Sequence, residues 1–455
     1  MKSERNQWFA DVVVVGGGIA GLTAAARIAR SGRSVMLLEK APRLGGRGGT
    51  QETHGVRFNL GPHALYCGGV AMRTLRELGV PFHGAPPVYQ GLTLRDEGRL
   101  FAGPVDLKSL LTCRLFHLRE KWQLARLPKT LARVDARSLD RIPLSDWIAA
   151  NFGRGALARF IRWQFRVSTY VTDADLLSAG AAIDQVRVAR DGGVWYLDGG
   201  WQTLIDGLRD VVLCSGGQVL ESAPARSVRS AGSEAVVTLG DGSELRAASV
   251  VLAVEPQTAI QLLDLPSDAP LVRWESENVP VAAACLDVAL RRLPQPTRRV
   301  AFGLDAPLYY SVHSASAKLA EPGVAVVHVA RYLSSVPGRD PSDVQGELEQ
   351  WLDQVQPGWR DEVITRRYLP HMVVTHSLVT AKSGGAAGRP TVDATNQRNA
   401  FVCGDWVGPE GMLADAAVAS AMQAAQRAVE CASTAGEQRW QKPSPALASA
   451  GRQAG

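Results

Sequence analysis

The stretch Asp11 to Arg47, DVVVVGGGIAGLTAAARIARSGRSVMLLEKAPRLGGR, constrains what this chain can fold into more than any other. Its apolar run Val12 to Val15 is of the kind a parallel strand shows when both faces are covered. Gly16, Gly18 and Gly21 follow at G-x-G-x-x-G spacing. Leu22 to Arg30 then reads as an Ala-rich helix, and Ser34 to Leu38 as a second strand ending on Glu39. Each part does something physical. Gly16 permits the tight turn, Gly18 lets the backbone approach a pyrophosphate, and Gly21 allows helix and strand to pack closely. The N–H groups at the helix start face the phosphates, and the helix dipole favours their charge. Glu39 stands where an acid accepts the ribose hydroxyls of an adenosine, and its charge would repel a 2′-phosphate. A glycine motif alone is weak. A strand before it, a helix after it and an acid closing the next strand supply the context that predicts a dinucleotide site.

A chain of 455 residues exceeds what one hydrophobic core usually serves, so two domains are expected. Hydrophobic residues at 46% and charged residues at 21% suit a globular protein, and a net charge of +6 is too small for this length to predict a nucleic-acid partner. The six cysteines are scattered with no C-x-x-C pair, and no histidines stand near cysteines or acids at ligand spacing. The expectation is reduced thiols, a cytoplasmic setting and no metal. Residues 1–10 show no leader pattern, and no apolar run is long enough to span a bilayer.

After Glu39 come Gly45, Gly46 and Arg47, a second glycine turn that carries a guanidinium towards the same pyrophosphate. A strand at Val56 to Leu60 runs into Gly61-Pro62-His63. This order of motifs resembles the N-terminal signature of the flavin amine oxidase superfamily, which includes the phytoene desaturases and protoporphyrinogen oxidases. The far end agrees. Ala400 to Cys403 reads as a strand ending at Gly404-Asp405, followed by a Gly/Pro turn and an Ala-rich helix starting near Leu413, similar to that superfamily's C-terminal flavin motif.

The resemblance implies an α/β fold: a Rossmann-like FAD-binding domain with an interleaved substrate domain made of a mixed sheet and a helical insertion. The expected FAD-binding parts are 1–80, 191–270 and 390–434; residues 81–190 form the helical insertion, 271–389 the mixed-sheet part, and 435–455 a disordered tail. FAD is expected to be held non-covalently, since no cysteine occupies the helix start. By the same similarity Ala225 would lie against the adenine. Asp405 would accept bonds from the ribityl chain, and the helix start around Met412 and Leu413 would face the developing charge of a reduced flavin. Asp415 stands where many members carry Glu.

The function implied is an FAD-dependent oxidoreductase, a desaturase, dehydrogenase or oxidase, taking hydride from a C–C or C–N bond of a hydrophobic, polyprenoid-like molecule. Oxygen or a quinone would be the final acceptor. An amine or amino-acid oxidase is the alternative, and a non-redox flavoprotein or isomerase a further one. An aromatic hydroxylase would lack Gly45-Gly46-Arg47. His63 and Trp406 are the candidates for bordering the flavin ring, with a loop-holding role the first reading for His63; Tyr310 and His313 are weaker candidates for the substrate pocket. Within the insertion, helical spacing is read in Leu107–Leu118, Glu120–Leu131, Leu144–Asn151 and Leu157–Val167. There Lys108, Arg114, Arg119, Lys121, Arg126, Lys129 and Arg133 interleave with Leu, Phe and Trp. That stretch reads first as a solvated face over the core and second as a peripheral contact with anionic lipid.

Overall fold

The computed structural model describes residues 8–232 and 234–434, so the expected tail 435–455 lies outside the described residues. The opening strand, Trp8–Val15, pairs in parallel with Val35–Leu38 on one side and with Glu244–Leu252 on the other. Val12, Val13 and Val14 are shut off from solvent, as expected of a central strand covered on both faces. Gln218–Leu220 extends the parallel run beyond Val35–Leu38, and Ala400–Val402 lies parallel to Glu244–Leu252. Two antiparallel strands, Ala225–Ala231 and Glu234–Leu239, complete a seven-stranded sheet. The first helix, Ile19–Arg30, packs on the C-terminal helix, Leu413–Thr434, which the small residues Ala417, Ala421, Ala424 and Ala425 allow to come close.

A second seven-stranded sheet runs in the order Val363–Thr375, Val281–Leu290, Ala325–Tyr332, Leu308–Val312, Val300–Gly303, Thr93–Asp96, Arg99–Ala102. One face is covered by the helix Val344–Val355, which buries Leu348, Trp351, Leu352 and Val355 against Leu286, Val327 and Val329. The other face meets the helical insertion through Phe160, Ile161, Trp163 and Phe165. Residues 81–190 are therefore not helical throughout. Thr93–Asp96 and Arg99–Ala102 form a hairpin turning at Glu97-Gly98, both at positive φ, and join the second sheet. The spacing over 107–118 also belongs to two elements, Leu107–Thr112 and the start of Leu118–Arg133.

One irregularity positions the site. Val363–Thr375 is a single edge strand containing Pro370, which an edge position tolerates because no ladder bond is lost on the free side. The register shifts between Ala283 and Cys285 of its neighbour, and the extra residue bends the strand. Beyond the bend, Met372, Val373 and Val374 enter the wall of the main cavity.

Candidate active site

A cavity of about 570 Å3 lies between the two sheets, with its nucleotide end at the strand Trp8–Val15. Gly16, Gly18, Glu39, Gly45, Gly46, Arg47, Pro62, His63, Ala225, Asp405, Trp406 and Leu413 all belong to its wall. At the first turn, Gly16 has φ +109°, and a Cβ there would come within 2.4 Å of the Ala253 carbonyl oxygen. A Cβ on Gly21 would stand 1.8 Å from the Gly16 oxygen, so Gly21 sits behind the wall and sets how closely helix meets strand. Gly18 differs: a methyl there would find nothing nearer than the Gly45 oxygen at 3.9 Å and would project into open space. The helix Ile19–Arg30 has Gly18 as N-cap with no side-chain cap and no acid in its first turn. Its orphan N–H groups suit a phosphate, and Ile19 and Ala20 line the cavity where one would lie.

Glu39, nearly buried, accepts the Gly17 N–H at 2.7 Å through Oε2 and the Ala41 N–H at 2.8 Å through Oε1. The acid thus ties the glycine turn to the end of the second strand, and each oxygen keeps acceptor capacity for a ribose. Ala223, Pro224 and Ala225 stand beside it, with Ala223 N–H on the Glu39 carbonyl at 2.8 Å.

The middle of the cavity joins the two ends of the chain. Arg47 Nη1 donates to Asp405 Oδ2 at 2.6 Å and to the Val374 carbonyl at 2.9 Å. His376 Nδ1 lies 3.2 Å from the other Asp405 oxygen. Burial alone would raise the Asp405 carboxyl, but the Arg47 charge and the bonds from Arg47 and His376 outweigh it and hold the group well below the usual carboxylate range. Arg389 fixes the following turn by donating to the Asp405 and Gly411 carbonyls. Ser420, within the C-terminal helix, accepts the Gly404 N–H at 3.0 Å. Leu413 opens that helix at φ +56°, a conformation costly for a bulky residue, and lines the cavity.

At the far end His63 is pinned between two carbonyls, Gly61 O and Arg47 O, each at 3.1 Å, and packs edge-on against Trp201. Burial pushes its ring down to about 4. A neutral imidazole donates only one of those two bonds, so His63 holds the loop. Tyr170 ends the helix Ala156–Thr169 at φ +63° and donates to the Pro62 carbonyl at 2.7 Å. With Pro62, Ala64, Tyr66, Met372 and Val374 it gives this end an apolar, aromatic character.

Several sequence-predicted residues are placed elsewhere. Gly61 is behind the wall, close to Cys285 and Met372. Met412 is buried among the insertion's apolar residues, because the turn before the helix points it away from the cavity. Tyr310 lies under the helix Val344–Val355 and donates to the Arg298 carbonyl. His313 is stacked on Tyr196 with ring centroids 3.7 Å apart, in a buried cluster that includes His328 and its partner Asp287. Neither lines the cavity. Trp406 does, yet its indole donates to the Val254 carbonyl and stacks on Trp274, an anchor for the Gly404 turn. Asp415 accepts the Ala71 N–H at 2.7 Å and so serves the helix Val70–Glu77. Sequence reasoning missed Tyr66, Tyr170, Met372 and His376, which no local spacing marks. Cys403 is in the wall, and burial pushes its thiol up to about 12.

A glycine-turned βαβ unit facing the start of a C-terminal helix across one cavity defines the class of two-part α/β proteins that hold an extended dinucleotide. Residues 19–282 match the family model for flavin containing amine oxidoreductases, more than half of the chain, and the chain belongs to that family. It is 29% identical over 269 residues to AofH of Mycobacterium tuberculosis, a protein named as a flavin-containing monoamine oxidase; the match covers 55% of this chain and 58% of AofH, less than two thirds of that relative. It is 22% identical over 474 residues to the 4,4'-diapolycopen-4-al dehydrogenase of Metabacillus indicus, covering 88% of this chain and 93% of the relative. The fold is shared with putrescine oxidase bound to putrescine, at TM-score 0.70 and 16% identity over 93% of this chain and 100% of that one. Flavin is the cofactor of the family. An open place at Gly18, an uncapped helix start beside it and the Glu39 carboxylate bonded to the Gly17 N–H of the turn fit the ADP half of FAD.

Proposed function

We propose that the chain is an FAD-dependent oxidoreductase acting on a C–C or C–N bond of a hydrophobic substrate. Bound FAD would supply the two-electron acceptor at its ring. The N–H groups at the start of Ile19–Arg30 and the Gly45-Gly46 turn would seat the diphosphate, Glu39 the ribose, and Asp405 the ribityl chain beside Arg47. The first turn of the C-terminal helix would stabilise negative charge at the ring edge. Tyr170 and His63 would keep the Gly61-Pro62 segment flat against the ring's place and keep water out, with the His63 proton held by one carbonyl and not exchanged with substrate.

The observation that carries the substrate side is the composition of the far wall. The cavity's acids, Glu39, Glu255 and Asp405, belong to its nucleotide end or middle, and Glu39 and Asp405 are already engaged by N–H groups and Arg47. The end formed by Pro62, Ala64, Tyr66, Tyr170 and Met372 offers no carboxylate to hold an ammonium. This supports a neutral, hydrophobic molecule, and the match along most of the chain to a 4,4'-diapolycopen-4-al dehydrogenase points the same way. The similarity to AofH favours the second reading, oxidation of an amine bound in its neutral form. Anaerobic mixing separates the two. Bleaching of the flavin by a polyene and not by amines is expected; bleaching by amines alone reverses the assignment.

A further inference from the structure

The five most exposed large hydrophobic residues among those described all fall within eighteen positions: Leu118 at 82%, Leu107 at 66%, Leu111 at 60%, Trp122 at 56% and Val105 at 48%. Four of them sit on a helical hairpin, Leu107–Thr112 and Leu118–Arg133, with Val105 just before it; Lys121 Nζ closes the hairpin by donating to the Leu111 carbonyl at 2.6 Å. On the second helix the two faces separate cleanly. Leu124, Leu127 and Leu131 turn into the core, while Leu118, Trp122, Arg126, Lys129 and Arg133 follow one another at four- and three-residue steps along the opposite, exposed face. That face carries an apolar head and a cationic tail, linked where the Arg126 guanidinium lies 3.7 Å from the Trp122 ring centre.

The charge is as localised as the exposure. Residues 107–133 hold seven Lys or Arg and one acid, a net +6, which equals the formal charge of the whole chain; the remainder is formally neutral. Two of the nearby acids are used internally. Glu120 accepts the His117 N–H, and Asp106 accepts from Ser109 to cap the first helix. A solvated face over the core needs no Leu at 82% exposure, and a protein interface would need no such one-signed charge beside it.

We propose that this hairpin docks the protein on an anionic lipid bilayer, Leu118, Trp122, Leu107 and Leu111 entering the interface and the Arg126–Arg133 side meeting headgroup phosphates. The proposed contact is one of surface attachment by an amphipathic hairpin; no described helix is long and apolar enough to cross a membrane. The wedge of exposed side chains supplies the apolar part of the affinity. The cations supply a salt-sensitive part, about fivefold in affinity for each charge near the surface. The inference stands on this surface alone and does not depend on the identity of the cofactor or substrate.

Sedimentation of the full chain with vesicles of phosphatidylcholine, with and without phosphatidylglycerol, at low and high salt tests this docking. Pelleting with the anionic vesicles at low salt is expected, and its loss in high salt or without phosphatidylglycerol. Leu118→Ser with Trp122→Ser should abolish it. Arg126→Gln with Lys129→Gln and Arg133→Gln should weaken it roughly a hundredfold, the effect of removing three such charges. All five side chains are exposed, so unchanged melting in each variant verifies the fold. No pelleting at low salt, equal pelleting of the variants, or a dimer that disperses in the Leu118→Ser, Trp122→Ser protein would overturn the proposal.

Discussion

Arg47 Nη1 lies 2.6 Å from Asp405 Oδ2, so two glycine-flanked signatures 358 residues apart meet in one ion pair in the middle of the cavity. Asp405 is almost wholly buried, whereas the Arg47 side chain is 39% exposed, which screens their attraction. Replacing Arg47 by Ala should still cost about 1–2 kcal/mol, because the buried carboxylate keeps only His376 beside it. A carboxyl held low in the folded chain stabilises above its unfolded pKa and loses that contribution as pH falls through the folded one. Arg47→Ala should therefore move the onset of acid unfolding to higher pH, and urea titrations across the acid range check this.

Gly18 and Gly21 belong to one motif but answer to different neighbours. Gly18 has φ −79°, which any residue adopts, and room for a methyl group in the direction of the cavity. Gly18→Ala should fold and melt as the parent does while losing FAD affinity by about 2 kcal/mol, roughly thirtyfold. Gly21→Ala would drive a methyl onto the Gly16 carbonyl and should destabilise the fold by about 3 kcal/mol. Melting curves together with FAD titration separate the two.

Glu39 holds one backbone N–H with each carboxylate oxygen. A glutamine has a single acceptor oxygen, so Glu39→Gln leaves either Gly17 or Ala41 facing an amide NH2 at a cost of about 1–3 kcal/mol. The variant should retain less FAD through gel filtration than the parent, and Glu39→Ala less still.

The half-buried His63 and the buried Asp415 titrate against each other. The unfolded chain protonates His63 near 6.5 while the folded chain resists until about 4, so this contribution to stability falls as pH drops through that window. Asp415 is opposite. Burial raises its carboxyl to about 6 from 3.8, so its contribution is full at low pH and falls as pH rises between those values. Each amounts to about 3 kcal/mol at full extent, and in the parent the two nearly cancel. Asp415→Asn should unfold more easily as pH drops from 6.5 to 4, and His63→Gln should become more stable over the same range. Parallel pH profiles for all three proteins would contradict these environments.

What could be read from the sequence follows from how local each feature is. The nucleotide end is written within residues 11–47 as strand, turn, helix, strand and acid, and each part folds on nearest neighbours. Gly404-Asp405 carries the same kind of local mark. Tyr170 reaches the cavity because a helix ends on it in a left-handed conformation, and Met372 because an edge strand bulges at Pro370; neither event has a spacing signature. Tyr310 and His313 were attractive as aromatic and titratable residues, but alternation along the strand Leu308–Val312 and the short turn after it sends them into packed clusters. The hairpin at Glu97-Gly98 did have a signal, a turn dipeptide between T-L-R-D and R-L-F-A. The basic, helix-like sequence after it masked that signal.

The most direct test of a single flavin site built from both ends of the chain is titration of the FAD-free protein with FAD, for the parent, Gly18→Ala and Arg47→Ala. One FAD bound per chain, with affinity reduced by both substitutions while the folds persist, is the result the structure predicts. A protein that binds no FAD, or binds it equally well in all three forms, would contradict it.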